Sequence, residues 1–260
     1  MTLDGSMSYD QEQSSLTLVY AWDLDADGIF GEVGASALHG GETGMKPTFL
    51  TAALDGPSAW TVLLRVTDDT GETTEDATVV EILNIAPAVS ITGAPSSSPE
   101  GTLITVGNSV DEASSADTAA GFTYSWSVTK NGSAYGTGGS AASFSFTPDD
   151  NGTYVVTFTA TDKDSGVGSD ARTITVVNVN PTASITGAPD SSPEGTLISL
   201  GSTVGDASSA DTSAGFTYSW SVTKNGSTYG SGGATASFSF TPDDNGTYVV
   251  TFTATDKIGR

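Results

Sequence analysis

Residues 87–162 return almost letter for letter at residues 181–256. Glu100 and Glu194, Trp126 and Trp220, and Tyr154 and Tyr248 each stand 94 residues apart. A fixed period of this size means an array of similar units, so whatever one unit folds into, the chain folds into repeatedly. The two copies are roughly four-fifths identical, which reads as duplication of a unit that works additively in a row. A more distant copy precedes them. The run WTVLLRVTDDTG from Trp60 aligns at the same offset with YVVTFTATDKDSG from Tyr154, but its Tyr20-Ala21-Trp22 needs about ten extra residues, and these begin at an acidic loop. The reading is three units. Residues 1–86 lack a first strand and carry the acidic insertion, 87–180 are complete, and 181–260 lack a last strand.

Within a unit the hydrophobic period is two. Phe122, Tyr124, Trp126 and Val128 alternate with Thr123, Ser125, Ser127 and Thr129, and Tyr154, Val156, Phe158 and Ala160 do the same. Such alternation describes strands with one buried and one wetted face. Turn signals separate them: Asn131-Gly132 suits a two-residue hairpin and PDDNG from Pro148 a longer one. No helix is expected. Several short strands so punctuated imply an antiparallel sandwich of two sheets. With no cysteine in the chain, stability must come from core packing or a bound metal.

The runs YAWDLDADG … VTDDTGETTEDATVVEILNIAPAVSI and YSW … FSFTPDDNGTYVVTFTATDKDSG … ARTITVVNVNPTASI resemble PKD domains, modules found in polycystin ectodomains and in large bacterial surface and secreted proteins. The similarity extends over nearly the whole chain and is most specific at Y-x-W, at the V-x-D-x-x-G hairpin and at the strand running through N-x-x-P. It departs in one loop: the family's WDFGDG is WDLDADG here in the first unit and WSVTKNG in the others. The resemblance implies an all-β chain of tandem immunoglobulin-like antiparallel β-sandwiches in a linear array. It also implies an extracellular or cell-surface location within a longer polypeptide. The linkers NIAP and NVNP each hold one stiff proline and leave little slack. Residues 258–260 depart abruptly from the repeat and read as a fragment boundary, so open sheet edges could recruit a strand from another copy.

Charge narrows the partners. With 31 acidic against 8 basic residues the formal net charge is −23, which repels nucleic acid and anionic lipid surfaces and makes divalent cations the natural counterions. No apolar run approaches the roughly 18 residues of a membrane helix, so no membrane insertion is expected.

Asp23, Asp25, Asp27 and Gly28 match the first half of a D-x-D-x-D-G calcium loop. Residues two apart in a strand are separated by about 6.6 Å, so the chain must curl after Leu24 to gather these acids. Counting Asp23 as position 1, the glutamate expected at position 12 is Gly34, and Glu32 falls at position 10. A remote carboxylate would have to complete the shell. The alternative is a solvated acidic turn. A second group, Glu100, Asp162, Asp164 and Asn180 with Asn178, lies near the unit boundaries, loosely similar to the way cadherin-type modules gather acids around a linker, although acids in turns are commonly soluble turn formers.

Trp22, Trp126 and Trp220 could stack sugars, but their parity with Tyr and Phe points to the core, and Trp60 reads the same way. Asn131, Asn151, Asn225 and Asn245 sit in N-G-[ST] sequons that hairpin chemistry already explains. The single histidine, His39, reads as a surface residue in a glycine-rich insertion. No catalytic constellation is recognisable, and the chain is not read as an enzyme. The expected function is a structural or adhesive spacer: a stiff rod of repeats stabilised by calcium in a secreted or cell-surface protein. The rivals are an accessory carbohydrate- or protein-binding module of a secreted hydrolase, with Tyr135 and Tyr229 as its outward aromatics, and a fibre subunit that self-assembles by strand exchange.

Overall fold

A computed structural model describes residues 1–257; the fragment boundary read at 258–260 lies outside the described residues. The elements in chain order are β1 (Val19–Asp23), β2 (Ser58–Thr67), β3 (Thr73–Ile82), β4 (Ala88–Thr92), β5 (Ser97–Pro99), β6 (Ile104–Asp111) and α1 (Ser115–Ala120). There follow β7 (Thr123–Lys130), β8 (Ser133–Ala134), β9 (Ser143–Phe146), β10 (Gly152–Thr161), β11 (Val167–Val177), β12 (Thr182–Thr186) and β13 (Ile198–Gly205). The last elements are α2 (Ser209–Ala214), β14 (Phe216–Lys224), β15 (Ser227–Gly232), β16 (Ser237–Phe240) and β17 (Tyr248–Asp256). The chain divides into two compact units. Among the described residues one holds 1–89, 110–123 and 159–169, and the other holds 90–109, 124–158 and 170–257.

The first sheet, β1-β2-β3, is antiparallel, with Trp22 opposite Leu64 and ten consecutive pairs from Ser58–Ile82 to Thr67–Thr73. Its inner face packs Trp22, Leu24 and Val62 against Leu3 and Phe49 from the flanking segments. Those segments are held by backbone pairing: Leu3 N–H donates to Pro47 O, Gly5 N–H to Met45 O, and Phe49 N–H to Met1 O. Trp60, half-buried, packs against the same cluster.

Four further sheets follow: β4-β6-β9, β5-β11-β10-β7-β8, β12-β13-β16 and β15-β14-β17. Aromatic rings join facing sheets in both later repeats. Trp126 of β7 stacks on Phe144 of β9 at 5.9 Å, and Trp220 of β14 on Phe238 of β16 at 5.5 Å. Trp126 also meets Phe158 at 4.4 Å. Tyr154, Val156, Phe158 and Ala160 are all 0% exposed, so the period-two reading of β10 holds at every position. Truncating a ring such as Phe158 to Ala costs about 3–5 kcal/mol, so the alternation is the main stabilising pattern. The result is an all-β succession of immunoglobulin-like sandwiches. Among the described residues no helix is long and apolar enough to cross a membrane.

Three local expectations differ from the structure. Two short helices, α1 and α2, occupy SADTAA and SADTSA. Each is capped by a serine side chain, Ser114 or Ser208, that accepts from the N–H of Asp117 or Asp211 and ends at a glycine of positive φ. At six residues they are too short to show a 3.6 period, and only the caps announce them. PDDNG closes no hairpin either: β9 pairs with β6, whereas β10 belongs to the five-stranded sheet, so the turn carries the chain from one sheet to the other. Finally, β5 pairs with β11 in parallel over Ser97–Pro99. The Asn-Gly hairpins do form as expected. Asn131 and Gly132 take φ 50 and 83, and Asn225 and Gly226 take 51 and 82, the pair of positive values a type I′ turn requires.

Candidate metal centres

The acidic loop leaves β1 at Asp23 and curls at once, with Ala26 at φ 62 and Gly28 at φ 86. Asp23 is 1% exposed and braces this curl, its Oδ1 accepting from Ala26 N–H at 2.7 Å and its Oδ2 from Gly28 N–H at 3.0 Å. Asp27 is exposed and accepts from Ile29 N–H. Asp23, Asp25 and Asp27 each place an oxygen within 4.8 Å of the others, but a second group shares Asp25: Asp25, Glu32 and Glu42, gathered equally closely. In that group Asp25 Oδ1 and Glu32 Oε2 are buried without a hydrogen-bond partner.

Glu42 is the remote carboxylate that the spacing alone does not identify. It is 0% exposed, accepts from Leu24 N–H at 2.6 Å through Oε1 and from Glu32 N–H at 3.3 Å through Oε2, and its carbonyl accepts from Trp22 N–H. Pairing of the insertion with β1 delivers it to the loop, a tertiary event that leaves no mark in the spacing. Burial pushes the pKa of Glu42 above its ordinary value, the charges of Asp25 and Asp23 adding to the shift. Glu32 is raised by desolvation and then by Asp27, Asp25 and Asp23. The leading influences on both carboxylates are burial, neighbouring acids and, for Glu42, backbone N–H donors.

His39, expected at the surface, is 7% exposed. Its Nδ1 lies 3.1 Å from Leu50 O, and its ring meets Trp60 and Phe49 edge-on at 5.0 and 5.7 Å, making it a core residue. The insertion around it is ordered by packing, which a glycine-rich sequence conceals. Tyr135 and Tyr229, expected to point outward, instead donate to Thr147 O and Thr241 O and pack edge-on against Tyr154 and Tyr248.

The remaining sequence candidates fall into separate groups. Within the first compact unit Asp162 joins Glu112 and Asp117, and Asp164 joins Asp55 and Asp117. Asn84 Nδ2 donates to Asp162 Oδ2 at 3.0 Å, and Asp162 Oδ1 accepts from the N–H groups of Asp164 and Gly166. Ser114 Oγ donates to Asp55 Oδ1. The Lys163 ammonium binds Asp55 and Asp164 and lies 3.3 Å from Oδ1 of the fully buried Asp117. That ammonium holds the Asp55 carboxyl below its ordinary value, helped by Ser114.

Within the second compact unit Glu100 joins Asp206 and Asp211. Asn178 Nδ2 donates to Asp256 Oδ2 at 3.2 Å, repeating the Asn84–Asp162 bond one period on. Ser208 Oγ donates to Asp149 O. Asn180 is exposed and enters none of the carboxylate groups found among the described residues. Glu112, Asp117, Asp206 and Asp211 are therefore residues that the sequence reading passed over. Their signal is the recurring acid-A-S-S-A-D motif that carries each helix cap.

No family model matches this chain, and no curated protein does. Among solved structures it is similar to the fibronectin(III)-like modules of Clostridium thermocellum CbhA, at TM-score 0.30 and 12% identity, over 62% of this chain and 78% of that one. It is also similar to the FN1-FN3 domains of chicken CNTN1, at TM-score 0.29 and 10% identity, over 92% and 82%. A third is protocadherin gamma B2 extracellular cadherin domains 3-6, at TM-score 0.33 and 15% identity, over 79% of this chain and about half, 51%, of that one.

Proposed function

We propose that this chain is a structural spacer segment of a larger extracellular or cell-surface protein, built from serial PKD-type modules, the first of which is tied by calcium at its acidic loop. The observation that carries the calcium reading is the convergence of Asp25, Glu32 and Glu42 with two buried carboxylate oxygens that no protein donor reaches. Calcium takes six to eight oxygens at about 2.3–2.6 Å in flexible geometry, and a set of carboxylates supplemented by carbonyls and water suits it. An ion there would join the end of β1 to the insertion through Glu42, fixing about twenty residues that otherwise carry little regular structure. The repeats contribute length and, with a core of stacked rings, resistance to unfolding. Isothermal titration of calcium chloride into the whole chain tests the loop: Glu42→Gln should remove one binding equivalent. Unchanged stoichiometry and affinity in Glu42→Gln and in Asp25→Asn would remove calcium from this reading.

A further inference from the structure

Glu100, Asp206 and Asp211 gather three carboxylates, one oxygen of each within 4.8 Å of the others. Asp211 is 0% exposed and neither of its carboxylate oxygens has a hydrogen-bond partner; Glu100 is 1% exposed, with Oε2 likewise unpartnered. Asp206 Oδ2 is also unpartnered, which makes four buried carboxylate oxygens without donors. The other oxygens are used to fix the frame. Glu100 Oε1 accepts from Val179 N–H at 2.7 Å, and Asp206 Oδ1 from Ser208 N–H at 2.8 Å.

We propose that Glu100, Asp206 and Asp211 hold a divalent cation of the calcium class, which clamps the linker 178–181 between the repeat that supplies Glu100 and the repeat that supplies the two aspartates. Three features carry this. An ionised carboxylate taken out of water costs several kcal/mol unless a positive charge meets it. The charged side chains that act on Asp211, namely Asp150, Asp206 and Asp256, are all acidic. The Lys130 ammonium is committed to Asp149 and Asp150 at 2.9 and 3.1 Å.

The second feature is distance. One oxygen from each of the three carboxylates lies within 4.8 Å of the others, inside the span of about 5 Å that two ligands of one calcium ion can cover. The third is the donor set. It is oxygen alone, with no histidine or cysteine, which selects a hard cation over zinc or copper. The site needs nothing from the Asp25 loop.

The test is calcium titration of the whole chain after chelator removal, comparing wild type, Asp211→Asn, Glu100→Gln and Glu42→Gln. Asp211→Asn and Glu100→Gln should each lose one equivalent that Glu42→Gln retains, with far-ultraviolet circular dichroism unchanged. Glu100 lies outside the helix, so its variant decides the matter should Asp211→Asn fail to fold. Wild-type stoichiometry and affinity in Glu100→Gln, and in Asp211→Asn where it folds, would overturn the site. Loss of an equivalent in these two but not in Glu42→Gln would uphold it while removing the loop.

Discussion

Asp117 and Asp211 occupy the same place in successive repeats, each fully buried and each receiving a serine cap one turn earlier, yet their surroundings are charged differently. Beside Asp117 the chain supplies its own cation, Lys163, which also binds Asp55 and Asp164. Among the described residues no ion pair forms at Asp211. The equivalent Lys257 is exposed, with its ammonium near Gly215 at the far end of α2, and Asp149, the equivalent of Asp55, is taken by Lys130 and the Tyr154 hydroxyl. In the first repeat the position of Lys130 is filled by Ala26, so Asp55 is left for Lys163. The frames differ as well at Ser6 against Glu100, Glu112 against Asp206 and Asp164 against Ile258, so several substitutions accompany the change in the ammonium groups around them. The first cluster has the Lys163 ammonium beside it, and in the reading proposed above the second takes an ion from solution.

The largest effect expected from this contrast is chelation. Calcium at a hundred times its dissociation constant stabilises a site by about 2.7 kcal/mol, and thermal melts with and without chelator should show a loss of that order. Asp211→Asn should shrink the loss and Asp117→Asn should leave it unaltered. Next comes Lys163→Met, which strips the ammonium from Asp117. It should lower the melting temperature in chelator and create a new calcium equivalent by titration, converting the first cluster into the second type.

The pH response in chelator comes third and has opposite signs at the two places. Asp55 is held below its ordinary value of 3.8 by Lys163, so its contribution is present above that value and is lost as pH falls through the folded one. Burial raises Glu100 and Asp211, so the metal-free second cluster is most stable below the ordinary carboxyl range and loses stability as pH rises through the raised values. Melts across the acid range should lose the first trend in Lys163→Met and the second in Glu100→Gln. The smallest effect is the helix cap. Ser114→Ala and Ser208→Ala should each cost about 1 kcal/mol in chemical denaturation, equally with and without calcium.

Much of the fold is legible in the sequence. A strand with one wet face writes itself as alternation, and Trp126, Val128, Tyr154, Val156 and Phe158 fall inside as that alternation requires. The Asn-Gly turns were legible because only certain residues tolerate two positive φ angles in succession. The acidic loop was legible in part. Asp25 and Glu32 come together, but their companion Glu42 arrives through pairing with β1, and pairing partners carry no fixed spacing. The helices were hidden by brevity, and with them Asp117 and Asp211, whose burial follows from the cap. His39 misled because glycine-rich segments usually lie in solvent, whereas here Phe49 and Trp60 enclose the ring.

Amide hydrogen exchange on the intact chain, with calcium and with chelator, tests the contrast most directly because both clusters report within one molecule. The account predicts that calcium slows exchange at Val179 and across residues 206–214, while residues 112–120 and Asn84 exchange at the same rate in both conditions. Equal slowing at the two clusters, or none at 206–214, would contradict it.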